Sequence, residues 1–297
     1  MKLIRKYPII MIIIGVLGIS LSSIFVRYST APSDITAAWR LVWTVVLLTP
    51  FVLSRKSSRK ELFSVSPRLL IVSVVSGIFL AAHFLLWFES LKHTSVASST
   101  VIVCTEVIWV AIGYVFFMKG KLNWRALIAI GTCLVGSVLI AVSDSDLGNS
   151  LYGDLLAVLA AVVVAVYTLL GRYVRKHLTT TSYTYIVYIS CCTTLLVVCL
   201  LRKANLFSFG YSPIVVGGLL SVFSTILGHS IFSWCLKYFS PSFVSASKLC
   251  EPVVASIFAG FLFFEIPGWM QVFGGLTVLA GVLYYSFVET KMKSNGA

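Results

Sequence analysis

Apolar residues run along this chain in long blocks broken by short polar loops, rather than at the spacing of a soluble amphipathic helix. About 20 apolar residues carry an α-helix across about 30 Å of hydrocarbon, so blocks of this length predict membrane spans. Ten are predicted, at 8–26, 34–53, 69–90, 95–117, 124–143, 151–171, 181–201, 214–236, 242–264 and 268–287. The longest loop, Ser54 to Arg68, is polar and basic. The first block follows Lys2, Arg5 and Lys6 and resembles a signal peptide, with Ser20-Leu21-Ser22 as a small-residue cleavage point. An internal repeat argues instead that this block is the first helix.

That repeat has a single register. A shift of 145 residues lays Arg27-Tyr28 on Arg172-Tyr173, Leu91-Lys92 on Leu236-Lys237, Glu106 on Glu251, Trp124 on Trp269 and Gly136 on Gly281. Chance likeness between apolar segments would not hold one register over polar and aromatic landmarks. Each half holds five spans, an odd number, so the second enters the membrane upside down. The expected fold class is therefore an all-α membrane protein of ten transmembrane helices in two inverted five-helix repeats, with domains at 1–146 and 147–297. Inverted repeats recur in secondary transporters, which bind cargo near midplane between the halves.

Composition removes the soluble alternatives. The chain is 59% apolar and 11% charged, against roughly 25% charged in ordinary soluble domains. Its net charge of +13 does not signal nucleic acid, because the basic residues cluster in loops rather than on a folded basic face. With a cytoplasmic N-terminus, seventeen Lys and Arg fall in inside segments and four outside, while Arg40 and Lys248 lie within spans. That bias predicts a cytoplasmic membrane protein with both termini cytoplasmic and the loop holding Asp144 and Asp146 outside. The seven cysteines sit in apolar blocks without a C-x-x-C pair, so they predict helix packing and neither a metal site nor a disulfide scaffold. No cofactor is expected.

Ionisable groups inside a bilayer are costly and mark candidate sites. Glu106 lies about eleven residues into the fourth span, roughly 16 Å deep, and Glu251 about nine into the ninth, roughly 14 Å deep. They approach midplane from opposite faces, either as a site for a cationic cargo group or a proton or as structural carboxylates paired to Lys or bonded to serines. Lys248, one turn before Glu251, has three readings: an ion pair with Glu251, a stem reaching water, or a cavity lysine that would suit a zwitterion. Ser99 shares a helical face with Glu106, either lining the cavity or bonding back to its helix. His83 and Trp87 align on the third span, His229 and Phe232 on the eighth; each histidine is a candidate gate or proton relay and equally a hydrogen-bonded core residue. Trp39 and Trp87 offer ring faces for a protonated amine. Arg40 is expected either to snorkel outward or, preferably, to form a structural ion pair with Glu89. Ala129 and Gly136, matched by Gly274 and Gly281, predict close packing of the fifth and tenth spans, within a chain or between the chains of a homodimer.

The stretch Glu251-Pro252-Val253-Val254-Ala255, then Phe263-Phe264-Glu265, Gln271 and Gly274-Gly275 to Gly281, resembles the EamA signature of the drug/metabolite transporter superfamily. The first half carries a weaker copy: Thr105-Glu106 lacks the proline, and Lys119-Gly120 stands where the second half has Phe264-Glu265. The resemblance covers nearly the whole chain as two EamA domains. It implies a carrier in the cytoplasmic membrane, often an exporter, for cargo ranging over amino acids, amines, nucleotide-related metabolites and drugs.

The expected function is a secondary transporter moving a small polar or cationic metabolite by alternating access, with proton coupling left open. The alternative is a facilitative uniporter or channel, although no repeated filter loop is present. No enzyme is expected, since H-E-x-x-H and G-x-S-x-G are absent.

Overall fold

In the computed structural model the described residues are 8–94, 96–143, 151–263 and 268–294. They are helical, with no strand among them. Glu265, Asp144 and Asp146 and the first three basic residues lie outside them.

Seven helical segments are long and apolar enough to cross a membrane: Ile9–Val26, Ser33–Ser54, Pro67–His93, Ser99–Met118, Leu151–Val174, Thr180–Leu201 and Ser212–Cys235. These are spans 1, 2, 3, 4, 6, 7 and 8. Trp124–Ile140 and Val272–Val288 are shorter apolar helices that form spans 5 and 10. Span 9 is two helices in succession, Pro241–Lys248 and Glu251–Phe263. The fold is thus an all-α membrane bundle of ten spans, and a short helix, Lys56–Phe63, joins spans 2 and 3.

The packing repeats between the halves. Span 1 packs on span 8 as span 6 packs on span 3, and span 4 packs on span 6 as span 9 packs on span 1. Span 3 meets span 7 as span 8 meets span 2. Three pairs map onto themselves: spans 2 and 7, 4 and 9, and 5 and 10. This is the contact set of two five-helix units related by a two-fold axis, and their odd span number makes that axis lie in the membrane plane.

Spans 5 and 10 meet backbone to backbone within one chain. A Cβ on Gly136 would stand 2.6 Å from the Gly274 carbonyl oxygen, and one on Gly274 would stand 2.7 Å from that of Gly136. At Gly281 it would stand 2.5 Å from the Cys133 sulfur. The small residues therefore allow a separation that any side chain would forbid.

Among the described residues four spans depart from regular helix: span 1 at Leu21, between Pro8–Ser20 and Ser22–Arg27, and spans 4, 8 and 9 where the halves meet. Span 4 breaks at Thr105, between Val96–Cys104 and Glu106–Met118, and the Thr105 hydroxyl bonds back to the Ile102 carbonyl at 2.6 Å. Span 9 breaks across Leu249 and Cys250. Span 8 winds as a π-helix over Leu220–His229, with the Thr225 and Ser230 hydroxyls each bonding a carbonyl five residues back. Such departures gather at functional sites.

Candidate functional site: a charged cavity between the halves

The two breaks do the same thing in each half. Glu106 becomes the first residue of the second helix of span 4, and Glu251 the first residue of the second helix of span 9. A helix N-terminus carries partial positive charge and favours a carboxylate. Pro252 suits this place, because the first turn needs no backbone donor there. The repeat thus sets one acid at the start of each half-helix.

Both acids line one cavity of about 50 Å³, with Ile19, Ser22, Arg40, His83, Trp87, Thr100, Cys104, Ser224, His229 and Lys248 also in its wall. At about 30 Å³ per water, it has room for one or two waters.

The charges are partnered unequally. Lys248 donates to Glu106 Oε1 at 2.8 Å, both side chains buried. The i, i+3 pairing of Lys248 with Glu251 does not form, because the break at Leu249 and Cys250 lies between them. Nor does Lys248 reach water, being 9% exposed. Glu251 has no hydrogen-bonding or ionic partner among the described residues. Arg40 is fully buried and has no carboxylate partner among them either. Its Nε donates to Thr225 Oγ1 at 2.7 Å, its Nη1 to Ser22 Oγ at 3.4 Å, and its guanidinium lies 4.2 Å over the Phe84 ring. The expected Arg40–Glu89 pair is absent: Glu89 binds Lys92 at 2.9 Å and His93 at 3.4 Å, while Arg40 faces the π segment of span 8.

Neutral donors complete the wall. The Trp87 indole N–H and the hydroxyls of Thr100 and Ser224 are buried without a partner among the described residues. His83 Nδ1 donates to the Ala160 carbonyl at 3.1 Å, and its ring stacks on Trp87 at 5.9 Å. His229 meets the rings of Phe84 at 5.5 Å and Tyr167 at 6.1 Å.

Of the residues singled out in the sequence, Glu106, Glu251, Lys248, His83, Trp87 and His229 meet in this cavity. Phe232 does not line it, although the Lys248 ammonium lies 5.5 Å from its ring centre. Ser99 and Trp39 do not line it. Ser99 bonds Ser90 at 2.9 Å; the break at Thr105 removes the common face that a continuous helix would give it with Glu106, and Thr100 lines the wall instead. Trp39 donates to the Leu206 carbonyl at 3.1 Å and meets the edge of Phe207. Ser22, Thr100 and Ser224 are lining residues that the sequence reading missed, and Arg40 is one that it assigned to an ion pair instead. For Arg40 the signal was present: an arginine six residues into an apolar block is costly wherever it points.

A ten-span bundle of two inverted halves, with charged groups buried where they meet, defines a polytopic membrane transporter of the inverted-repeat kind. The EamA-like transporter family model matches twice, at residues 6–142 and 151–287. The chain belongs to that family, within the drug/metabolite transporter superfamily. Relatives include an uncharacterized transporter of Archaeoglobus fulgidus, 27% identical over 220 residues, covering 71% of this chain and 73% of that protein. Another is the uncharacterized transporter YxxF of Bacillus subtilis, 26% identical, covering 98% of this chain and 91% of its own. A crystal structure 13% identical in sequence shares the fold, with a TM-score of 0.78 over 95% of this chain and 97% of that one.

Proposed function

We propose that the chain is a secondary carrier that moves a small metabolite with a cationic group across the cytoplasmic membrane by alternating access, in the outward direction that the family resemblance implies. Its working units are the two five-helix halves, 1–146 and 147–297. Glu251 is the cargo-binding carboxylate, and the observation that carries this is its lack of a partner in a cavity where Lys248 already neutralises Glu106. Arg40, the cavity cation without a carboxylate partner, is suited to a cargo carboxylate. Amino acids therefore head the cargo set, ahead of amines and drug-like cations. The unpartnered donors of Trp87, Thr100 and Ser224 supply further contacts to cargo oxygen atoms.

A cavity of about 50 Å³ must widen to admit such a molecule. Rocking of the halves opens the centre to one side of the membrane and then to the other. Seventeen basic residues against four argue for both termini inside. A free carboxyl that alternates between cargo and a proton would couple export to the proton gradient.

The test is a thermal-shift screen of purified protein against amino acids, polyamines and quaternary amines, followed by flux in proteoliposomes. A bound cargo raises the melting temperature by mass action. Glu251→Gln should lower flux at least tenfold, and an imposed pH gradient should drive transport by the wild-type chain. Unchanged flux in Glu251→Gln removes that carboxylate from the mechanism. Flux indifferent to the pH gradient would favour the uniporter reading.

A further inference from the structure

The cavity of about 220 Å³ lies away from the charged centre, where spans 4, 6, 8 and 10 end and span 5 begins. Its lining includes Tyr114, Lys121, Asn123, Arg172, Tyr238 and Ser240. These come from helix ends and the loops next to them, on the side that holds most of the basic residues, the cytoplasmic side of the proposed topology. Among the described residues no acidic side chain lines it. Arg172 is half-buried and donates through Nη1 to the Leu236 and Phe239 carbonyls, the latter at 3.1 Å. Lys121 is exposed and has no partner among the described residues. Two cations thus share one concave, polar wall without a compensating anion among the described residues.

We propose that this cavity is a binding site for the headgroup of an anionic phospholipid. Basic pockets between transmembrane helices on the cytoplasmic side suit such headgroups. The phosphodiester takes the charges of Lys121 and Arg172, and the Tyr114 hydroxyl is placed to donate to it. A volume of about seven waters, at about 30 Å³ each, suits a phosphate with its glycerol. The surroundings favour a lipid over a free phosphate. Phe116, Phe117 and Trp124 flank the same loop and are 76%, 85% and 63% exposed, an apolar surface for acyl chains at the depth where aromatic residues collect. The site has a mechanical consequence. Arg172 ties the end of span 6 to the end of span 8, so a bound lipid braces the contact that must loosen when this side opens.

Native mass spectrometry of the full-length protein, released from nanodiscs of mixed phosphatidylglycerol and phosphatidylcholine, tests this. One phosphatidylglycerol per chain should remain bound in preference to phosphatidylcholine. Lys121→Ala should reduce its retention about fivefold, the loss of one charge near a lipid headgroup, and Lys121→Glu further. Lys60→Glu, on the same basic side but outside the cavity, should leave retention unchanged. Lys121 is exposed and makes no internal bond, so these variants keep the fold, which thermal melting verifies. Equal retention of the two lipids, or an equal loss in Lys60→Glu, would overturn the site. Stabilisation by inorganic phosphate alone, with displacement of the lipid, would overturn the lipid assignment in favour of a free-anion site.

Discussion

At the scale of single residues, the molecule turns on which buried charge has a partner. Lys248 and Glu106 form one ion pair across the two halves. Removing one member of a buried pair leaves an uncompensated charge, at a cost of about 3–5 kcal/mol, while replacing both is far milder. Lys248→Met should therefore lower the melting temperature more than the double variant Lys248→Met with Glu106→Gln, a comparison that a double-mutant cycle in detergent reads directly. Glu61, in the loop helix, holds the start of span 7: it accepts from the Thr179 amide at 2.9 Å and from the Thr179 and Ser182 hydroxyls. Burial alone would raise its pKa, but those donors outweigh it and the value falls below the ordinary 4.5. A lowered folded-state pKa means the contact stabilises fully above about pH 4.5 and is lost as pH falls through the folded value. Glu61→Gln should thus destabilise at pH 7 and converge with wild type in strong acid, as melting curves against pH would record. That Glu106 and Glu251 would line one cavity was legible in the sequence, because one repeat register and a rise of 1.5 Å per residue brought them together. The partner of Lys248 was not, because helical spacing assumes an unbroken helix.

Among the elements, the breaks and the π stretch set the site, and these were the least visible features in the sequence. Apolar blocks reveal where a helix crosses, but a two-residue interruption within a block leaves hydropathy unchanged. Thr105 and the Leu249-Cys250 pair carry no glycine, and only Pro252 marks the second break. This is why Ser99 was read onto the face of Glu106 and Thr100 was missed. The close packing of spans 5 and 10 was legible, since small residues seven apart in both halves have few other uses. It yields a firm expectation: Gly136→Val forces a side chain against the Gly274 backbone and should cost about 1–3 kcal/mol by overpacking, while Gly131→Val, with nothing within 4 Å of its added Cβ, should melt near wild type. Equal melting of the two variants would refute the backbone contact. In span 8, deleting one residue between Leu220 and His229 should restore α-helical winding, turn Ser224 and His229 out of the wall, and abolish cargo-induced stabilisation.

For the molecule as a whole, the paired contacts of the two halves make alternating access an economical proposal, since the same interfaces can open one side or the other by exchanging roles. In the proposed topology both ends of the chain lie on one side of the membrane, and the basic bias argues for the cytoplasmic side. Reporter fusions at each terminus should both be active in the cytoplasm, and opposite locations would break the inverted-repeat plan. The account rests most heavily on Glu251 as the free carboxyl of the cavity and Glu106 as the bound one. Dicyclohexylcarbodiimide, a membrane-soluble reagent for protonated carboxyl groups, separates the two. After treatment of the protein in lipid, peptide mass mapping should place the modification on Glu251, leave Glu106 unmodified, and shift to Glu106 only when Lys248 is replaced by Met. Equal labelling of both acids in the wild-type chain, or labelling of Glu106 alone, would contradict the account.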